Sequence, residues 1–272
     1  DQAVEQMIRN QGKDYIPQLF KFTQIVIATN KTSLKYATCG TGKNFWCIWR
    51  EQSAEWQNKL LDQYVVGREI TEQDRNLVSL FDPGRLLTLA KYFILYDANI
   101  KKICRYQQFF AVEEIIKTIQ QNDPAGNRQG GVIWHTQGSG KSLTMVMVAK
   151  YILMEMSRFN PRVVIVTDRK ELDKQIAKTF AHTRLSPARA TSGKHLIELV
   201  NSGSVDVITS IINKFNTVES SGLKNNSRDI FVLVDESHRS NYGSLATKMR
   251  TVFPNACYIG FTGTPLMKSE KN

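Results

Sequence analysis

Gly131-Val132-Ile133-Trp134-His135-Thr136-Gln137-Gly138-Ser139-Gly140-Lys141-Ser142 passes from a short apolar strand, through a glycine-bearing turn, into a helix expected to open at Leu143. Strand, loop and helix in that order are what a phosphate-binding loop requires. Backbone N–H groups converge at a helix N-terminus that already favours an anion. Gly138 and Gly140 allow the backbone to approach a phosphate closely. Lys141 can reach the β- and γ-phosphates, and the Ser142 hydroxyl can ligate Mg²⁺. Gly138, Ser139, Gly140, Lys141 and Ser142 are therefore the candidate ATP-binding residues, with ATP and Mg²⁺ as the expected ligands. His135 departs from the pattern, which usually has Gly at that position.

Working outward, the chain from about Arg105 onward alternates short apolar runs with helical ones. Arg162 to Thr167, Val205 to Thr209, Asp229 to Val234 and Ala256 to Phe261 read as strands. Val112 to Ile119, Leu143 to Met156 and Lys170 to Phe180 read as helices. Continuous apolar strands separated by helices predict a parallel sheet covered on both faces. The expected fold class is α/β.

Asp235-Glu236-Ser237-His238 directly follows Phe231-Val232-Leu233-Val234. An acid at the carboxyl end of a buried strand faces the crevice where such sheets bind ligands. Asp235 would hold Mg²⁺, and Glu236 would orient and deprotonate an attacking water. Lys141, Asp235 and Glu236 are thus the candidate catalytic set, with Ser142 and Asp235 as the metal pair. Thr262-Gly263-Thr264-Pro265 follows the last strand, and Thr262 and Thr264 are candidates for coupling the nucleotide site to a second domain or a DNA strand.

Upstream, Asp1 to Ile8 reads as a short helix. Phe22 to Thr29, Lys35 to Cys39 and Phe45 to Trp49 read as strands of a small sheet. Residues 51–104 read as a mostly helical bridge, with Asp82 capping a helix that starts at Pro83. Residues 1–50, 51–104 and 105–272 are the expected divisions.

Lys and Arg number 36 against 25 Asp and Glu, a net charge of +11. Residues 105–272 carry 22 basic and 14 acidic side chains, so most of the excess lies there. That balance favours a polyanionic partner, with nucleic acid the obvious one and a merely solvated basic surface the plain alternative. Residues 158–194 hold nine basic and three acidic residues, so Arg169, Lys170 and Lys174 are candidate DNA-phosphate contacts. Thr209 and Ser210 follow the stretch Val205 to Ile208 and are read as sitting at the strand's end, where their hydroxyls could bind phosphate or cap a helix. The four cysteines form no Cys-x-x-Cys pair, so neither a zinc ribbon nor a redox motif is suggested, and four in 272 residues are too sparse for a disulfide scaffold. No apolar run is long enough to span a membrane. No secretory signal opens the chain, so a cytoplasmic protein without a membrane partner is expected.

Gly138-Ser139-Gly140-Lys141-Ser142, Asp235-Glu236-Ser237-His238 and Thr262-Gly263-Thr264-Pro265 resemble motifs I, II and III of superfamily 2 helicases. The longer strings from Trp134 to Ser142, Thr167 to Asp173, Asp235 to Ser240 and Gly260 to Pro265 resemble the motor (R) subunit of type I restriction endonucleases. The resemblance implies a RecA-like P-loop NTPase domain preceded by the C-terminal part of a small α/β nuclease-like domain. It implies ATP-driven translocation of duplex DNA before cleavage, with methyltransferase and specificity subunits as partners. His135 is then a family habit, and His238 couples the ATP site to motif III. Arg105-Tyr106-Gln107-Gln108 is similar to the adenine-reading Q motif, with Gln107 as the reader and Gln108 as the alternative. A later nuclease motif, Gln-x-x-x-Tyr, fits Gln6 to Asn10 by position and Gln11 to Tyr15 by letter. The nuclease metal site and a second RecA-like domain are expected outside this chain, so the 272 residues alone should bind Mg·ATP weakly and hydrolyse it negligibly. A type III restriction subunit or another superfamily 2 helicase subunit is the alternative.

Overall fold

A computed structural model describes the chain except residues 1, 98–99, 137, 168–175, 178, 181–186, 217, 219–221, 236–241 and 264–272. Two compact units divide it, Asp1–Phe110 and Ala111–Asn272.

In the N-terminal unit, α1 (Gln2–Asn10) precedes an antiparallel sheet of β1 (Val26–Asn30), β2 (Ser33–Ala37) and β3 (Cys47–Ile48), in the order β1-β2-β3. The β1–β2 turn is tight because the Asn30 carboxamide oxygen accepts the Thr32 N–H at 3.0 Å. Three helices follow: α2 (Glu55–Tyr64), α3 (Glu72–Leu80) and α4 (Pro83–Thr88). Thr71 and Asp74 form a capping box on α3. Pro83 opens α4, and Asp82 caps it through the Arg85 N–H at 2.8 Å. The chain then makes a π-helical turn over Leu89–Phe93 and enters a hairpin, β4 (Ile94–Asp97) with β5 (Ile100–Ile103). That hairpin corrects the expectation of a mostly helical stretch to residue 104. The apolar spacing from Leu86 fits a helix only as far as Phe93. Beyond it, the pairing of Ile94 with Ile103 selects extended backbone. Trp49, Tyr36, Phe93 and Phe109 are buried together, with the Trp49 and Phe109 rings 5.3 Å apart.

The division between the units falls within α5 (Tyr106–Ile119). The C-terminal unit is a six-stranded parallel sheet. Its strands are β6 (Gly131–Trp134), β7 (Arg162–Thr167), β8 (Ala188–Arg189), β9 (Val207–Ile211), β10 (Ile230–Asp235) and β11 (Cys257–Thr262), in the order β6-β11-β10-β7-β9-β8. Strands β7, β10 and β11 are buried along their whole length, which is why they read as unbroken apolar runs. Val164, Val166, Ile208, Val232 and Val234 form one core face with α7 (Gly193–Ser202) and α8 (Tyr242–Val252) through Leu196, Ile197, Met249 and Val252. Helix α6 (Lys141–Glu155), buried at Thr144–Ala149 and Ile152, packs against β7. It begins two residues before the expected Leu143. Lys141 and Ser142 are therefore in its first turn, at the positive end of the helix dipole.

Candidate nucleotide site

The parallel register assembles the site. Trp134 pairs with Thr262, and Phe261 pairs with Asp235, so β6, β11 and β10 end together at the carboxyl edge of the sheet. The loop after β6 and the acid at the end of β10 are carried to the same edge, although they lie far apart in sequence. Lys141 Nζ is 3.0 Å from Asp235 Oδ1. The Asp235 side chain is only 3% exposed and that of Lys141 18%.

The loop backbone explains its glycines. Gly138 has φ of 76° and Gly140 has φ of 88°, both in the left-handed region that side chains other than glycine's adopt at a cost. Among the described residues, a Cβ at Gly138 would meet nothing within 4 Å, so the backbone there is open to an approaching group. Ser139 donates its N–H to Thr136 O at 3.1 Å, and the Thr144 N–H reaches Gly140 O at 3.1 Å. An Asp carboxylate and a Ser hydroxyl are hard oxygen donors of the kind Mg²⁺ takes while keeping its waters. Asp235, Ser142 and the open loop thus fit a Mg–nucleotide.

His135 occupies the base of the loop and is 6% exposed. Its N–H donates to Thr262 O at 2.8 Å. Its Nδ1 is hydrogen-bonded to Ser139 Oγ, and its Nε2 lies 3.0 Å from Thr144 Oγ1. Burial pushes the imidazole pKa below its ordinary value; the bond at Thr136 opposes this, and the charge of Lys141 adds to it. In the sequence His135 stands as a departure from the usual loop and, by resemblance, as a family habit, and neither reading contains these bonds. Thr144, an α6 residue, was missed altogether. A histidine four residues before a serine and nine before a threonine on a following helix was the available signal.

Other candidates are placed as follows. Thr262 is buried and serves the loop through its carbonyl. Gln107 is exposed on the first turn of α5, within the N-terminal unit. Gln108 is buried and accepts the Arg105 N–H at 2.8 Å, a capping bond that commits its oxygen to the helix start. Thr209 and Ser210 are a correction. Both are 0% exposed inside β9, which continues to Ile211 because Val166 and Thr167 of β7 pair with Ser210 and Ile211. Their hydroxyls do not reach a surface where DNA could touch them. Gln6 is exposed on α1. Gln11 instead ties α1 to the loop after β2, donating to Met7 O at 3.0 Å and accepting the Gly40 N–H at 2.8 Å. Glu236, His238, Thr264, Arg169, Lys170 and Lys174 lie outside the described residues. Among the described residues, no group of three or more His, Cys, Asp or Glu could hold a metal ion, and no helix is long and apolar enough to cross a membrane. All four cysteines are free.

Comparison with known proteins places this geometry. Residues 107–272 match the SWI2/SNF2 ATPase family, and residues 1–45 match the N terminus of type I restriction enzyme R proteins. The chain is 32% identical, over 96% of its length, to the type I restriction enzyme HindI endonuclease subunit of Haemophilus influenzae. It is 31% identical, over 94% of its length, to the putative type I restriction enzyme MjaIXP endonuclease subunit of Methanocaldococcus jannaschii. It spans 26% of the length of each. Among solved structures, the Sulfolobus solfataricus SWI2/SNF2 ATPase core in complex with dsDNA aligns at 15% identity and a TM-score of 0.45, over 65% of this chain and 34% of that one. With a P-loop carried on a parallel sheet and the family match extending over more than half its residues, the chain belongs to the SWI2/SNF2 ATPases, in a form whose relatives are type I restriction endonuclease subunits.

Proposed function

We propose that this chain forms the ATP-binding part of a DNA-translocating type I restriction subunit. The observation that carries the reading is the meeting of Lys141 with buried Asp235 at 3.0 Å, beside a loop opened by two left-handed glycines. In this reading Lys141 leaves Asp235 for the β- and γ-phosphates when nucleotide enters. The backbone N–H groups of residues 138–142 surround the phosphates, and Ser142 and Asp235 hold Mg²⁺. The metal supplies charge neutralisation between the phosphates. Glu236, the residue after Asp235, accepts the proton of the attacking water. Gln107 reads adenine, since Gln108 is committed to its cap. Thr262, Thr264 and His238 couple the site to movement, and Arg169, Lys170 and Lys174 meet DNA phosphates. Thr209 and Ser210 drop out of the DNA-contact set.

Residues 1–50 then belong to the nuclease part, 51–104 to a connecting region and 105–272 to the motor. The relatives are named type I restriction endonuclease subunits, which supports DNA as the substrate and a multisubunit complex; in this reading the substrate is duplex DNA, the partners are methyltransferase and specificity subunits, and the complex is cytoplasmic. The test is a pair of variants in the full-length subunit, followed for nucleotide affinity and hydrolysis side by side. Lys141→Ala is expected to lose both. Glu236→Gln is expected to keep affinity and lose turnover, because an amide cannot take the water's proton. Wild-type ATP handling by folded Lys141→Ala contradicts the reading.

A further inference from the structure

We propose that His135 is a positioning residue that holds the phosphate loop in its binding shape before nucleotide arrives. The inference rests on the nucleotide reading of the loop and assigns a task to a side chain that the usual loop, with glycine at this position, lacks. A loop with two glycines at positive φ gains access to phosphate and loses conformational restraint. Ordering such a loop on binding costs affinity, and ordering it beforehand removes that cost. His135 restrains it at three points. Its backbone N–H is anchored on Thr262 O of β11, its Nδ1 on Ser139 in the loop, and its Nε2 on Thr144 in the second turn of α6. Its backbone thus ties the loop to the strand end, and its one buried ring ties the loop to the helix.

The proton arrangement is self-consistent. Ser139 Oγ donates its hydrogen to Thr136 O, which leaves its lone pairs for an Nδ1–H donor. Nε2, at 3.0 Å, is then the nearer acceptor for the Thr144 hydroxyl, with Gly140 O at 3.3 Å as the competing one. Burial and the nearby Lys141 ammonium both favour that neutral ring. A neutral ring also leaves Lys141 as the cation offered to the phosphates.

The experiment uses the 272-residue chain with two readouts: hydrogen exchange of the nucleotide-free protein, and Mg·ADP affinity by calorimetry. His135→Ala is expected to speed exchange at residues 138–144 at least about tenfold and to weaken Mg·ADP by about tenfold, the size of one or two net hydrogen bonds. Exchange in β7 and β10 should be unchanged. His135→Asn, which can place an N–H near the Nδ1 position, is expected to recover part of the protection at Ser139. Thr144→Val, which leaves His135 in place and removes the Nε2 partner, should move both readouts in the same direction by less. Unchanged loop exchange in His135→Ala overturns the proposal. So does an equal acceleration across β7 and β10, because that marks a general loss of stability. Lys141→Ala separates the two ideas: if it binds Mg·ADP like wild type, the nucleotide reading falls, while the exchange of the nucleotide-free His135 variants still decides the positioning role.

Discussion

Two half-hidden ion pairs of the molecule have similar exposure and unlike character. In the N-terminal unit, Arg85 pairs with Glu51 at 2.8 Å, with side chains 16% and 11% exposed. In the C-terminal unit, Lys141 pairs with Asp235 at 3.0 Å, with side chains 18% and 3% exposed. Burial alone does not separate them, but their surroundings do. The Arg85 guanidinium also donates to Ser79 O at 2.9 Å and Ser79 Oγ at 2.7 Å. It lies 5.4 Å from the centres of both the Trp49 and Phe109 rings. Trp49 Nε1 donates to the same Ser79 hydroxyl at 2.7 Å. A planar fork fixed on several sides is a structural choice. The second pair uses a lysine, a compact charge on a flexible stem, at the head of a helix and next to an open loop. The lesson is that the geometry around a buried pair, more than its depth, distinguishes a brace from a site.

The contrast predicts different failures. The largest concerns the brace. Arg85→Ala removes the cation beside Glu51, leaving its charge with only the Gln57 and Ser79 donors, and is expected to cost about 3–5 kcal/mol in unfolding free energy, measured by urea denaturation. A cost below about 1 kcal/mol, the range of an exposed pair, breaks the distinction. Next is Tyr36→Phe. Tyr36 is fully buried and donates to Cys104 O at 2.8 Å, and burial pushes its phenol pKa far above the ordinary value. Losing the hydroxyl strands a buried carbonyl, for about 1–3 kcal/mol by the same measurement.

A smaller effect belongs to the site. The folded pKa of His135 lies below its ordinary 6.5, so folding excludes a proton that the unfolded chain binds. Its stabilising contribution is therefore complete above about pH 6.5 and is lost as pH falls through the depressed folded value. His135→Asn should flatten the stability-versus-pH curve below pH 6.5, and an unchanged slope there contradicts a buried neutral ring. The smallest effect concerns thiols. Burial pushes Cys257 up to about 12 and holds Cys104 well above the ordinary thiol value. At pH 8, a thiol reagent should label the partly exposed Cys39 and Cys47 first and reach Cys104 and Cys257 only on unfolding.

How much was legible follows from the same physics. Strands β7, β10 and β11 are buried on both faces, so their apolar runs are visible without any structure, and so are the polar residues that end them. The loop was legible because Gly138 and Gly140 meet a backbone demand that few other residues satisfy. The two-residue β8 carries too little pattern to be seen. The end of β9 was misplaced because its length is set by pairing with β7, a partner distant in sequence. The hairpin of β4 and β5 was hidden behind a spacing that suits a helix up to Phe93. The bonds of His135 were invisible for another reason: a motif records which residues occur, whereas the partners of a buried ring depend on where β11 and α6 are brought in the fold.

Hydrogen exchange with and without Mg·ATP tests the central claim most directly, because it observes both regions in one experiment. The account predicts that saturating Mg·ATP slows exchange at residues 138–144 and at the carboxyl ends of β10 and β11, and leaves residues 79–88 around Arg85 unchanged. Nucleotide protection that spares residues 138–144, or no protection at any Mg·ATP concentration, contradicts it.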